Sequence, residues 1–235
     1  MTILTLVCAR GGSKGLPGKN LRLFRGVPLV AHAVAQARAA RGVSRVIIST
    51  DCAEIAAAAR DAGADVPFMR PPELATDSAA EWLVWRHALE QVRTQTGVLP
   101  EALVVVPPTA PLRIPADITQ AIDAFREGDS DVVLTVTAAH RNPWFNMVRL
   151  DERNHAQLVN VPNVPFSRRQ DVPVVHDLTT VAYVADPAFV LAQGGLFAGR
   201  VRAVEVPPER AIDIDTLLDL RMAECLASFE DAACR

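Results

Sequence analysis

The side chains best suited to chemistry in this sequence lie in one glycine-rich loop near its N-terminus. The segment 9–20, ARGGSKGLPGKN, holds four glycines together with Arg10, Lys14 and Lys19. Glycines let backbone N–H groups approach phosphate oxygens closely, and lysines add compact positive charge. Lys14 and Lys19 are the only lysines in the chain. Because three clustered cations repel one another without an anion, we predict that this loop binds a polyphosphate.

The spacing of the loop excludes two common phosphate-binding motifs. A Walker A loop has four residues between its glycines and a Ser or Thr after its lysine. Here five residues separate Gly12 from Gly18, and Asn20 follows Lys19. The dinucleotide motif G-x-G-x-x-G is also absent, because neither Gly11 nor Gly12 has a glycine two positions later. The sequence therefore predicts a phosphate loop of another kind.

A pair of carboxylates near the C-terminus is the second candidate for chemistry. Asp213 and Asp215 are separated by one residue in the segment IDID. On an extended segment they would point to the same face, and two carboxylates on one face suit Mg²⁺. Asp215 could instead cap the helix predicted after it, but capping accounts for only one of the two acids. We therefore predict that Asp213 and Asp215 bind Mg²⁺.

Alternating strand and helix patterns indicate how these residues are positioned. Short apolar runs separated by amphipathic segments predict an α/β fold with a mostly parallel, twisted sheet and helices on both faces. Ligands bind such sheets at the carboxyl ends of the strands, which is where the glycine-rich loop follows the first strand. The predicted strands are 3–8, 45–50, 66–69, 103–106, 131–136, 179–185 and 201–206, and the predicted helices are 28–41, 53–62, 82–92, 117–125, 187–191 and 216–229.

The alternation stops near residue 140, and residues 140–176 are predicted to form an inserted β-rich arm. Residues 144–150 and 157–161 are expected to pair as antiparallel strands around the polar turn 151–154. No linker or repeat interrupts the chain, so we expect one domain over residues 1–235. Several apolar side chains of the arm predict that it packs against a second subunit in a homodimer. They are Trp144, Phe145, Val161 and Phe166.

Composition narrows the classes of ligand and compartment. The 235 residues carry a formal net charge of -3, which provides no general attraction for nucleic acid or an anionic membrane. No apolar run approaches the roughly 20 residues needed to cross a bilayer. The cysteines, Cys8, Cys52, Cys225 and Cys234, are too scattered for a disulfide framework or a zinc site. We therefore expect a cytoplasmic protein that binds a small molecule.

Five segments together resemble one enzyme family. The loop 9–20 is similar to the signature of the CMP-sialic acid synthetases, also called acylneuraminate cytidylyltransferases. Residues 49–51, 70–77, 108–113 and 212–215 resemble further blocks of that family in the same order. The resemblance covers essentially the whole chain. It implies a Rossmann-like nucleotidyltransferase fold, usually dimeric, that uses Mg²⁺ to convert CTP and a small acidic acceptor into a CMP conjugate and pyrophosphate.

The resemblance also assigns roles on the nucleotide side. Arg10, Lys14 and Lys19 are implied to be catalytic, because preorganised cations stabilise the charge that develops on departing pyrophosphate. Arg70 and the backbone of Ala79 are implied to lie beside the cytosine. The residues implied to contact the triphosphate or nucleotide from the loop are Arg10, Gly11, Gly12, Ser13, Lys14, Lys19 and Asn20.

The acceptor side departs from the family pattern. Pro107 stands where the family usually has glutamine, and residues 177–180, DLTT, replace its Arg-Pro-Asn-Gly. The family spacing makes Arg169 and Tyr183 candidate acceptor ligands, together with the neighbouring Arg168. His176 is a further candidate, although it could equally be an exposed loop histidine.

Because of these substitutions we expect N-acetylneuraminic acid to be a poor acceptor. The acceptor is then a modified nonulosonic acid or a small phosphonate such as phosphonoformate. Two competing functions are a metal-dependent glycosyltransferase and a non-catalytic nucleotide sensor. A glycosyltransferase needs no pyrophosphate clamp after its first strand, and a sensor needs no carboxylate pair, so both are less favoured.

Overall fold

The computed structural model describes residues 2–233, with side chains described as far as Phe229. In chain order the strands are β1 (Ile3–Cys8), β2 (Leu23–Phe24), β3 (Val27–Pro28), β4 (Arg45–Ser49), β5 (Ala102–Val105), β6 (Val132–Ala138), β7 (Val148–Leu150), β8 (Ala156–Leu158), β9 (His176–Ala185) and β10 (Val201–Glu205). The helices are α1 (Leu29–Ala39), α2 (Ala53–Asp61), α3 (Glu81–Thr96), α4 (Pro115–Arg126), α5 (Pro187–Ala192) and α6 (Leu217–Ala233).

A mostly parallel sheet of six strands forms the centre of the fold, in the order β10-β6-β9-β5-β1-β4. Strand β1 pairs in parallel with both β4 and β5, so that Leu6 lies opposite Ile47 and Val105. Strand β9 is antiparallel to its neighbours β5 and β6, because the chain reverses direction through the segment after β6. The predicted α/β class is confirmed, with β9 as the reversed strand.

Helices cover both faces of the sheet, as predicted. Alternate residues of β1 point to opposite faces, so Ile3 and Val7 pack in one buried cluster with residues of α1 and α4. Leu6 belongs to the cluster on the other face, which contains Trp82 and Trp85 of α3. Both tryptophans are buried, and their side chains therefore belong to the core.

The predicted strand at 66–69 is wrong. The chain there makes a single bridge, between Asp65 and Ile47, and then leaves the edge of the sheet. Pro67 lacks the backbone N–H that a ladder hydrogen bond requires, so the apolar composition of this segment does not extend the pairing. The segment instead carries the chain to Arg70, whose backbone N–H donates to the Thr50 carbonyl at 2.7 Å.

The expected hairpin between residues 140 and 176 is present but shorter than predicted. β7 and β8 pair antiparallel as a separate two-stranded sheet, with Val148 opposite Leu158. The Asp151 carboxylate holds the turn by accepting from the backbone N–H groups of Arg153 and His155 at 2.8 and 2.9 Å. Residues 144–147 lie outside the strand.

The cysteines of the described range are unpaired. Cys8, Cys52 and Cys225 are free thiols. Cys234 lies outside the described residues, so the expectation for that cysteine has no structural counterpart. Within the same range, no helix combines the length and apolar character that crossing a bilayer demands.

Candidate active site

A cavity of 370 Å³ opens where β1 and β5 end. The glycine-rich loop forms one wall, and the segment from Arg70 to Glu81 forms a second. The turn after β5 and strand β9 together form the third wall. The residues that line it are Cys8, Arg10, Ser13, Lys14, Gly15, Lys19, Asn20, Arg70, Leu74, Thr76, Asp77, Ala79, Glu81, Val84, Pro107, Pro108, Thr109, Thr180 and Asp215. Most predicted nucleotide ligands thus share one cavity.

An acid holds two of the loop cations together. Asp77 forms ion pairs with Arg10, at 2.8 Å, and with Lys14. The hydrogen bond from Lys14 holds the pKa of the Asp77 carboxyl below its usual range, and the charges of Lys14 and Arg10 add to this effect. All three side chains are partly or largely exposed, so these pairs contribute little stability. An incoming phosphate can therefore replace the carboxylate as the partner of both cations.

The third cation joins the loop to the carboxylate pair. The Lys19 ammonium group donates to Asp215 Oδ1 at 2.8 Å, although the two residues are far apart in the sequence. A Cβ atom at Gly15 would lie 2.7 Å from the backbone oxygen of Asp215. Only glycine allows this close approach, so Gly15 lets the predicted phosphate site and the predicted metal site lie side by side.

Other predicted loop residues support the backbone of the loop. The Asn20 amide donates to the carbonyl of Arg10 at 2.9 Å, and its side chain is buried. The Gly11 N–H donates to Asp51 Oδ1 at 2.9 Å, while Gly12 has open space around its Cα. Gly11 and Gly12 are not among the residues lining the cavity, whereas Ser13 is.

Arg70 is a buried residue of the wall predicted to face the cytosine. Its guanidinium donates to the hydroxyl and the carbonyl of Ser49 at 3.0 and 2.6 Å. These bonds fix the guanidinium at the end of β4, and part of the side chain lines the cavity. Ala79 lies on the same wall, just before α3 begins.

The two acids of the IDID segment differ in their surroundings. Asp213 and Asp215 lie on a loop rather than a strand, with Asp213 half-buried and Asp215 exposed. The Asp213 Oδ1 atom is buried without a hydrogen-bond partner. Burial raises the pKa of the Asp213 carboxyl, and the negative charge of Asp215 also raises it. A hydrogen bond from the Thr109 hydroxyl to this carboxyl lowers the pKa in part. A partnerless anionic oxygen beside a second carboxylate fits a divalent cation.

The cap of α6 is made by other residues, so Asp215 is free of that role. The Thr216 hydroxyl accepts from the Asp219 N–H at 3.3 Å, and the Asp219 carboxylate accepts from the Thr216 N–H at 2.7 Å. This reciprocal arrangement is a capping box. In the described part of the chain, no third Asp, Glu, His or Cys completes a metal-binding cluster, so phosphate and water oxygens would supply the remaining ligands.

The predicted acceptor ligands are not brought into the cavity. Arg168 forms a bidentate pair with Asp171 at 2.9 Å, and Arg169 donates to the carbonyl of His140. His176 is exposed at the start of β9. Tyr183 is buried against Trp85, with ring centroids 5.5 Å apart, and burial raises the pKa of its phenol. None of these four residues lines the cavity.

The third wall of the cavity includes positions that the family resemblance places on the acceptor side, although none of them was predicted to be an acceptor ligand. Pro107, Thr109 and Thr180 line the cavity. Behind them lies Arg113, which is 1% exposed and donates to the carbonyls of Pro107 and Val181, the latter at 2.6 Å. Burial lowers the pKa of the Arg113 guanidinium to about 9. This buried cation joins the turn after β5 to β9 and so shapes the wall.

Two acids that line the cavity, Asp77 and Glu81, were not predicted to be site residues. Asp77 belongs to a segment that resembled the family, and an acid opposite a cationic loop was a usable signal. Glu81 carried no such signal, because an acid in the first turn of a helix is ordinary.

Comparisons with known proteins identify the family. Residues 4–210 match the model of the cytidylyltransferase family. The chain is 33% identical to the post-translational flagellin modification protein B of Campylobacter coli, with 95% of this chain and 94% of that protein covered. It is also 33% identical to the CMP-N,N'-diacetyllegionaminic acid synthase of Campylobacter jejuni, with 97% and 96% covered.

A solved structure has the same fold. The CMP:2-keto-3-deoxy-manno-octonic acid synthetase complexed with CTP superposes with a TM-score of 0.71 at 18% identity, covering 98% of this chain and 100% of that one. At such low identity the similarity concerns the fold alone. The family model and the relatives matched along nearly their whole length establish that this chain belongs to the cytidylyltransferase family and is a CTP-dependent nucleotidyltransferase.

Proposed function

We propose that this enzyme transfers CMP from CTP to a modified nonulosonic acid of the legionaminic type and releases pyrophosphate. The observation that carries the proposal is the cavity itself, which has cations on one wall and an uncharged acceptor wall on another. The relative named for N,N'-diacetyllegionaminic acid, matched along nearly its whole length, supports the acceptor class.

In the proposed reaction a hydroxyl oxygen of the acceptor attacks the α-phosphorus of CTP, and the proton of that hydroxyl passes to solvent water. The bond from that phosphorus to the bridging oxygen breaks, and the electron pair leaves with pyrophosphate. Arg10, Lys14 and Lys19 stabilise the charge that builds on the leaving group. Asp77 orients Arg10 and Lys14, because it forms ion pairs with both side chains.

Asp213 and Asp215 are the residues that would hold Mg²⁺. The buried, partnerless Oδ1 of Asp213 and the adjacent exposed carboxylate of Asp215 suit its preference for hard oxygen ligands. A bound Mg²⁺ would neutralise negative charge on phosphate oxygens. Lys19 pairs with Asp215 at 2.8 Å, so its ammonium group would lie beside the same phosphates.

The acceptor class is tested by incubating the enzyme with CTP, Mg²⁺ and a panel of acids while pyrophosphate is followed. We expect a legionaminic-type acid to be turned over at least about 10-fold faster than N-acetylneuraminic acid, because Pro107 offers no side-chain hydrogen bond. Phosphonoformate, the alternative suggested by the same substitution, is expected to give no pyrophosphate.

The panel has two controls. Omission of Mg²⁺ should abolish release, and ATP or GTP should not replace CTP. Rapid turnover of N-acetylneuraminic acid or of phosphonoformate alone would contradict the proposed acceptor, and equal use of all nucleotides without an acceptor would contradict the reaction.

We further propose a homodimer in which the arm, residues 140–176, covers a second copy of this chain. Its apolar side chains Leu150, Val161 and Val164 are 61%, 71% and 76% exposed, and contact with a second subunit would remove this apolar surface from water. Light scattering at micromolar concentration should give twice the chain mass of 25.3 kDa. The double variant Leu150→Asp/Val161→Asp should be monomeric.

The matched control for the arm is Phe197→Asp, which places the same charge on an apolar side chain that is 72% exposed outside the arm. This variant should remain dimeric. A monomeric wild-type protein, or dissociation of the control as well, would contradict the proposed interface.

A further inference from the structure

Glu81 is the acid of the cavity that the proposed mechanism does not use. It is the first residue of α3 and lines the cavity. Its Oε1 atom accepts from the Trp85 indole N–H at 3.3 Å, one helical turn further on. In the described part of the chain it forms no ion pair, so its carboxylate keeps acceptor capacity toward the cavity.

Glu81 shares its cavity with residues from both predicted ends of the nucleotide site. It lines the same cavity as Arg70, on the wall predicted to face the base, and as Lys19 and Asp215, beside the predicted phosphate site.

A nucleotide that contacts both ends must place its ribose in the cavity that Glu81 lines. The vicinal 2′- and 3′-hydroxyls are two O–H donors, and an ionised carboxylate offers only acceptors, so the two groups are complementary. Acidic residues bind ribose hydroxyls in the same way in dinucleotide-binding folds. Glu81 does not form a metal-binding cluster with Asp213 and Asp215 in the described range.

We propose that the Glu81 carboxylate binds the ribose hydroxyls of the nucleotide and thereby selects ribonucleotides over 2′-deoxyribonucleotides. This inference rests on the proposed placement of CTP across the cavity. Glu81 is then a specificity-determining residue for the nucleotide and has no role in binding the acceptor.

The test compares the affinities of CTP and 2′-deoxy-CTP by calorimetry with Mg²⁺ and without an acceptor. One hydrogen bond to a charged group corresponds to about 10- to 100-fold in affinity, so the wild-type enzyme should bind CTP more tightly by that factor. In Glu81→Ala the ratio should fall close to one, mainly through weaker CTP binding. Glu81→Gln, which keeps one carbonyl acceptor, should give an intermediate ratio.

Glu90→Ala is the matched control, because Glu90 is an exposed acid on the same helix and does not line the cavity. It should keep the wild-type ratio. Because both nucleotides are measured on one preparation, a partly unfolded variant does not alter the ratio.

The outcomes separate this inference from the proposed function. Wild-type enzyme that binds CTP no better than ATP would overturn both. Wild-type enzyme that releases pyrophosphate from CTP, combined with an unchanged CTP preference in Glu81→Ala, would overturn only the role of Glu81. A raised KM for the acceptor with an unchanged nucleotide ratio would place Glu81 in the acceptor site and overturn the inference too.

Discussion

Replacing Lys19 with alanine is expected to lower kcat by about 10²–10³-fold, the usual cost of losing one preorganised group that stabilises developing charge. The Lys19 side chain is only 16% exposed and is held against Asp215, so its position is set before the substrate arrives. Steady-state release of pyrophosphate at saturating CTP, Mg²⁺ and acceptor measures the effect.

Lys14→Ala is the informative comparison for Lys19. The Lys14 side chain is 80% exposed and pairs with Asp77, so we expect a smaller loss than for Lys19. Lys19→Arg should recover part of the activity, because it keeps the charge but replaces a compact ammonium with a planar fork. A folded Lys19→Ala enzyme with wild-type turnover would show that Lys19 does not contact the leaving group.

Replacing Asp213 with asparagine is expected to reduce activity at saturating Mg²⁺ by at least about 10²-fold, in line with the several kcal/mol that a metal ion contributes to transition-state stabilisation. The asparagine should leave the melting temperature unchanged or raise it, because it removes the repulsion between two adjacent carboxylates. Activity across a Mg²⁺ titration and thermal unfolding without the metal are the two measurements.

Asp219→Asn is the matched control for Asp213, since Asp219 lies six residues later in the same segment. Its carboxylate accepts from the backbone N–H groups of Asp215 and Thr216 and caps α6. We expect the opposite pattern, with about 1 kcal/mol of stability lost and kcat nearly kept. Full Mg²⁺-dependent activity in Asp213→Asn would contradict the predicted metal site.

The sequence alone determined the elements with clear periodicity and the chemistry of the N-terminal loop. The apolar run 3–8 and the helix after Pro28 were predicted within a few residues, because burial of a strand or a helix face leaves a local pattern. The cations of the loop were also visible, since their types and spacing need no long-range information. Residues 66–69 mark the limit of such patterns, because pairing at a sheet edge depends on the neighbouring strand.

The tertiary structure decided which distant groups meet. The pairs Lys19–Asp215 and Arg10–Asp77, and the close approach of Gly15 to the Asp215 backbone, join segments that are remote in sequence. No periodic pattern in the sequence predicts that β9 runs antiparallel to its neighbours. None predicts that Arg168 and Arg169 bind Asp171 and the His140 carbonyl either. The local pattern of apolar residues indicates which face of a helix or strand is buried. Electrostatic contacts between loops depend instead on the three-dimensional path of the whole chain.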